Sequence, residues 1–138
     1  MAILGGGQSG FGSGGVAGTG KGLNYLGNHA YANSGGVVNT QSYKNILDFS
    51  IGGQYIVGTF TLNGSVVAAT VGAGNINVYQ IIINGEVIAM VKFDSQTESM
   101  PQTAQIPVIL GPYDHVEVSV KADDVNGVDT ALFSGRVY

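Results

Sequence analysis

NINVYQIIINGEVIAMVKF, residues 75–93, reads as two extended runs joined by Asn84-Gly85. Each run is rich in β-branched and aromatic residues, and neither carries the 3.6-residue apolar period of a helix. Asn-Gly suits a two-residue type I′ turn, which needs positive φ at both central positions. The stretch therefore predicts a β-hairpin, Asn75 to Ile83 returning as Glu86 to Phe93. Everything outward from it is read as more of the same.

Upstream, Gln54 to Leu62 alternates, with Ile56, Phe60 and Leu62 on one face and Tyr55, Val57, Thr59 and Thr61 on the other. A second Asn-Gly, Asn63-Gly64, predicts a second hairpin turn, with Ser65 to Val71 returning and Gly72-Ala73-Gly74 breaking the run. Before it, Val37 to Tyr43 and Asn45 to Ile51 read as short strands. Downstream, Asp94 to Gln105 is a polar loop holding Pro101, and Ile106 to Leu110 is a short strand ended by the turn Gly111-Pro112-Tyr113-Asp114. His115 to Lys121 alternates Val116, Val118 and Val120 against His115, Glu117 and Ser119. Ala122 to Asp129 is a loop, and Thr130 to Tyr138 is the last strand. Eight or nine strands without a helix, joined by alternately tight and long loops, predict an all-β sandwich, most economically an eight-stranded jelly roll over 37–138.

Residues 1–36 differ. They hold 13 of the chain's 23 glycines and a single charge, Lys21. Such a segment lacks the apolar bulk to offset about 1–2 kcal/mol of backbone entropy per residue. It reads as an extended arm whose order depends on neighbours. Leu23, Tyr25, Leu26 and Tyr31 are its candidate anchors, either plugging pockets on adjacent subunits or folding back on their own domain.

Composition narrows the function. Charged residues are 10% of the 138, against about 25% in an average soluble domain. Surface charge keeps monomers apart, so its scarcity points to a surface covered by partners; the alternative is a soluble β protein with a polar, uncharged surface. Five scattered basic residues and a net charge of −4 argue against nucleic-acid binding. With no cysteine, disulfides and thiolate metal sites are excluded. No secretion signal is read at the N-terminus. The uncharged stretch between Asp48 and Glu86 is too often interrupted by Gln and Asn for a membrane span.

The motifs that could carry chemistry each have a plainer reading. Gly10-x-Gly12-x-x-Gly15 and Gly15-x-x-x-x-Gly20-Lys21 resemble phosphate loops but lack the flanking strand and helix, and Gly22 stands where Mg²⁺ needs a hydroxyl. Asp123-Asp124-Val-Asn126-Gly127-Val-Asp129 resembles a calcium loop but lacks its first and last ligands. His115 lies near Asp114 and Glu117, but no nucleophile is indicated beside it. Glu86, Asp94, Glu98 and Glu117 are too few and scattered to suggest paired-carboxylate chemistry. Tyr55, Tyr79 and Tyr113 are candidate sugar platforms, with core or interface packing the simpler account. No cofactor, catalytic residue or metal ligand is expected.

Three stretches carry a resemblance. They are the glycine-rich arm, the run QSYKNILDFSIGGQYIVGTFTL (41–62) with the hairpin at 77–93, and the ending IPVILGPYDHVEVSVKADDVNGVDTALFSGRVY (106–138). In layout the chain resembles the small single-jelly-roll structural proteins of bacteriophages and other viruses. The resemblance implies a non-enzymatic capsid component, assembled in the host cytoplasm into the virion. It would form pentamers as a vertex (penton) protein, with arms inserted between neighbours such as the major capsid protein. The alternatives are a trimeric decoration or cement protein, or a spike-type receptor- or glycan-binding module.

Overall fold

The computed structural model describes residues 22–38, 40–65, 75–95, 102–123 and 127–138. Both phosphate-loop lookalikes, residues 66–74, Pro101, Asp124 and Asn126 lie outside the described residues. Among the described residues ten strands follow one another: β1 (Asn24–Leu26), β2 (His29–Asn33), β3 (Val37–Val38), β4 (Lys44–Ser50), β5 (Ile56–Ser65), β6 (Asn75–Ile83), β7 (Glu86–Ser95), β8 (Gln102–Leu110), β9 (His115–Ala122) and β10 (Val128–Val137). They form two antiparallel sheets in a sandwich-like arrangement, one ordered β4-β9-β6-β7 and the other β1-β2-β10-β5-β8, with β3 also on β10. Among the described residues no helix is long and apolar enough to cross a membrane.

The strand pairs have a concentric order. β6 pairs β7, β5 pairs β8, β4 pairs β9 and β2 pairs β10, all antiparallel. Among the described residues these pairs nest as a two-stranded ribbon with its tip at Asn84-Gly85. Rolling that ribbon up brings β10 against β5 and β9 against β6, and these two contacts complete the sheets. Asn84 and Gly85 have φ of 53° and 84°, as a type I′ turn requires.

The inner faces meet in one core. Val116, Val118 and Val120 come from β9, Tyr79 and Ile81 from β6, and Ile56, Phe60 and Leu62 from β5. Phe133 of β10 sits centrally, its ring centroid 4.9 Å from that of Phe60 and 5.5 Å from that of Phe49 across the sandwich. Gly58 makes room for it: a Cβ there would lie 2.7 Å from the Phe133 ring and 2.6 Å from the Ser134 carbonyl oxygen.

Several sequence expectations are corrected. Asn63-Gly64 is not a turn; both residues lie inside β5, paired to β10 and β8. Asn63 ties the two neighbours together, its Nδ2 donating to Thr130 Oγ1 (3.2 Å) and its Oδ1 accepting from Thr103 Oγ1 (2.7 Å). Gly64 is needed because the Phe93 ring lies 2.7 Å from where its Cβ would be. The same dipeptide that turns the chain at 84–85 serves packing here. Gln102 to Gln105, read as loop, belong to β8, and the strand expected over 37–43 is only Val37–Val38. Residues 24–33, assigned by sequence to the arm, form β1 and β2 of the larger sheet, where Ala30 and Ala32 alternate inward against β10.

Candidate functional site

Three groupings of side chains stand out. The first is the outer face of the larger sheet. Its rows, read across β2, β10, β5 and β8, are His29-Arg136-Val57-Ile109, Tyr31-Ser134-Thr59-Pro107 and Asn33-Leu132-Thr61-Gln105, with Thr130, Asn63 and Thr103 beyond. Arg136 is the single formal charge in these rows, and its guanidinium lies 5.6 Å from the ring centre of Tyr138. Ile109 is 68% exposed, and Tyr55, Val57, Leu132 and Tyr138 are exposed with it.

The expected anchors divide between core and surface. Leu23 is buried in the core and Tyr25 packs against it, burial pushing the Tyr25 phenol pKa up. Leu26 (76% exposed) and Tyr31 (45%) point to solvent, Tyr31 from the outer face itself. Of the two alternatives read from sequence, Leu23 and Tyr25 take the fold-back one.

The second grouping is polar and lies on the outer face of the smaller sheet, where β4 and β9 run side by side. Register sets Ser50 opposite His115 and Asp48 opposite Glu117. Ser50 Oγ is 2.9 Å from His115 Nδ1, and His115 Nε2 is 3.0 Å from Asp48 Oδ1 and 4.0 Å from Glu117 Oε1. Asn45 Nδ2 donates to the far oxygens of both acids, Asp48 Oδ2 at 3.2 Å and Glu117 Oε2 at 3.0 Å. Asp114, the acid next to His115 in sequence, turns away: it accepts from the Gly111 N–H at 2.7 Å and from Asn84 Nδ2 at 2.9 Å. Sequence reasoning found His115 and Glu117 but missed Asp48, Ser50 and Asn45. Only β4–β9 register brings these together, and no local motif encodes it.

The third grouping is internal. Asp129, read from sequence as part of a solvated acidic loop, is 0% exposed and accepts a hydrogen bond from Asn77 Nδ2. Burial pushes its pKa up to about 6, partly offset by hydrogen bonds from Tyr79 and Asn77. Asp129 Oδ2 and Asn77 Oδ1 are buried without a hydrogen-bond partner. The Tyr79 hydroxyl donates to the Asn63 carbonyl at 2.6 Å, so this tyrosine is a core residue rather than a sugar platform. Burial raises its pKa far above the ordinary phenol range, and the Asp129 charge adds to the rise.

No protein-family model matches the chain, and no curated protein sequence matches it.

Proposed function

We propose that the protein is a structural subunit of a virus or phage particle, a small jelly-roll capsid protein that acts by self-assembly rather than by catalysis. The single observation that carries the reading is the outer face of the larger sheet, with one formal charge among its rows and Val57, Ile109 and Leu132 exposed on it. A monomer exposing such a face at low net charge is prone to associate, and a second copy of the same chain would cover it. The strand order supports the jelly-roll part of the proposal. Leaving out β1 and β3, the sheets β2-β10-β5-β8 and β4-β9-β6-β7 are what a rolled eight-stranded ribbon produces. The viral assignment rests on the resemblance in layout, an argument at the level of fold.

In this reading the rows around Val57 and Ile109 form subunit contacts, and Leu26 and Tyr31 extend them. The glycine-rich segment 1–21 acts as the assembly arm, inserted between neighbours such as the major capsid protein. Weak contacts of this kind become strong when many copies act together.

The native mass of the purified protein tests the proposal. The expected result is a closed homo-oligomer: a pentamer agrees with a vertex role, a trimer with a decoration role. Ile109→Lys places a charge on an exposed position of the edge strand β8, where folding should tolerate it, and is expected to shift the mass to that of a monomer. A wild-type protein that stays monomeric at high concentration, or an Ile109→Lys variant that keeps the full oligomer mass, refutes it.

A further inference from the structure

Asp48 and Glu117 are directly opposite each other on neighbouring strands. Like charges in that position repel, and a cation between or beside the two carboxylates would relieve that repulsion. Among the described residues no lysine or arginine forms an ion pair with either. What faces them is the His115 imidazole, and Asp48, His115 and Glu117 offer three ligand atoms that all lie within 4.8 Å of one another. We propose that these three residues bind a divalent transition-metal ion, with Zn²⁺ the best fit.

Two features outside the ligand set favour this arrangement. First, Ser50 Oγ lies 2.9 Å from His115 Nδ1. With Nδ1–H donating to that hydroxyl, the Nε2 lone pair is free and aimed at the carboxylates, which is how metal-binding histidines are commonly held. Second, Asn45 Nδ2 donates to Asp48 Oδ2 and Glu117 Oε2 together. One amide thereby holds the far oxygens of both acids, leaving Asp48 Oδ1 and Glu117 Oε1 turned towards His115 Nε2.

The donor set selects the metal. One imidazole nitrogen and two carboxylate oxygens suit a borderline ion, whereas Ca²⁺ wants six to eight oxygens and Mg²⁺ an oxygen octahedron. Bond lengths of about 2.0–2.2 Å to Zn²⁺ place tetrahedral donors about 3.4 Å apart. The 3.0 Å His115–Asp48 distance is already close to that, and the 4.0 Å His115–Glu117 distance closes with a small rotation of a partly exposed side chain. Three protein ligands leave a fourth position open to water, on the solvent side of the sheet.

Calorimetric titration of the full chain with ZnCl₂ in a chelator-free buffer tests the site, with each variant's fold checked by circular dichroism. One ion per chain is expected to bind. His115→Ala and Glu117→Gln should each weaken binding at least tenfold, and Ser50→Ala by about tenfold through loss of the partner that orients the ring. His29→Ala, which alters the only other histidine, should leave binding unchanged. In wild-type protein, ring-nitrogen NMR should show the Nε2 of His115 shifting on Zn²⁺ addition while Nδ1 stays protonated; this readout does not depend on any variant folding. Absence of binding by wild type, a His115→Ala variant that binds as tightly as wild type, or an NMR response at His29 alone overturns the proposal.

Discussion

Asp129 gives up its water when β10 takes its place in the larger sheet, and the Asn77 amide donates to it. In the folded protein its pKa is about 6, against 3.8 for an unperturbed aspartate. Between about pH 4 and pH 6 the folded state therefore holds a proton that the unfolded chain has released. Folding stability contributed by this group is full below that window, falls as pH rises through it, and stays at its lowest above it. Asp129→Asn keeps the shape and the acceptor for Asn77 while removing the charge. It is expected to stabilise the protein by about 1–3 kcal/mol at pH 7.5 and hardly at all at pH 4. Thermal melts at the two pH values decide it, and an equal gain at both would show that the buried charge is not the cause.

The β6–β7 hairpin is held by more than its own ladder. The Asn84 N–H donates to the His115 carbonyl at 2.8 Å, its Oδ1 accepts from the His115 N–H at 2.9 Å, and its Nδ2 donates to Asp114. One turn residue thus links the ribbon tip to the turn before β9. Asn84→Ala loses the side-chain bonds and places alanine at a φ of 53°, which alanine disfavours. A loss of about 2–3 kcal/mol is expected in denaturant titration. Asn63→Ala, by contrast, would break two links between strands and leave the turns intact.

At this scale some elements were legible in sequence and others were not, for physical reasons. β9 and the first part of β5 could be read because each has one buried and one solvent-facing side, so apolar and polar residues alternate with the pleat. The tip at Asn84-Gly85 could be read because its φ values demand those residues. Asn63-Gly64 presents the same local signal, and only the distant Phe93, Thr103 and Thr130 show that the pair is packed rather than turned. β2 escaped notice because its inward residues, Ala30 and Ala32, are too small to mark an apolar face. The cluster around His115 depends on residues 65 to 72 positions apart in the chain, so nothing short of the register could have assembled it.

For the molecule as a whole, the rolled ribbon makes chain order matter. β10 runs between β5 on one side and β2 and β3 on the other. Removing residues 128–138 would separate β1 and β2 from the rest of their sheet and take Phe133 from the core. The truncated chain is expected to lose its cooperative thermal transition altogether, and a sharp melt close to wild type would contradict the importance given to β10.

A ribbon closed from its tip also sets a timetable for folding. The hairpin at residues 75–95 joins neighbours in sequence and can form within microseconds, whereas β2 must wait for a partner about a hundred residues further along. On a ribosome, the strand that completes the larger sheet emerges after all the other described strands. Until then β5 and β8 form a ladder with one side unpaired, a template for wrong partners. The final ten residues of the ribbon therefore decide when the nascent chain stops being a hazard to itself.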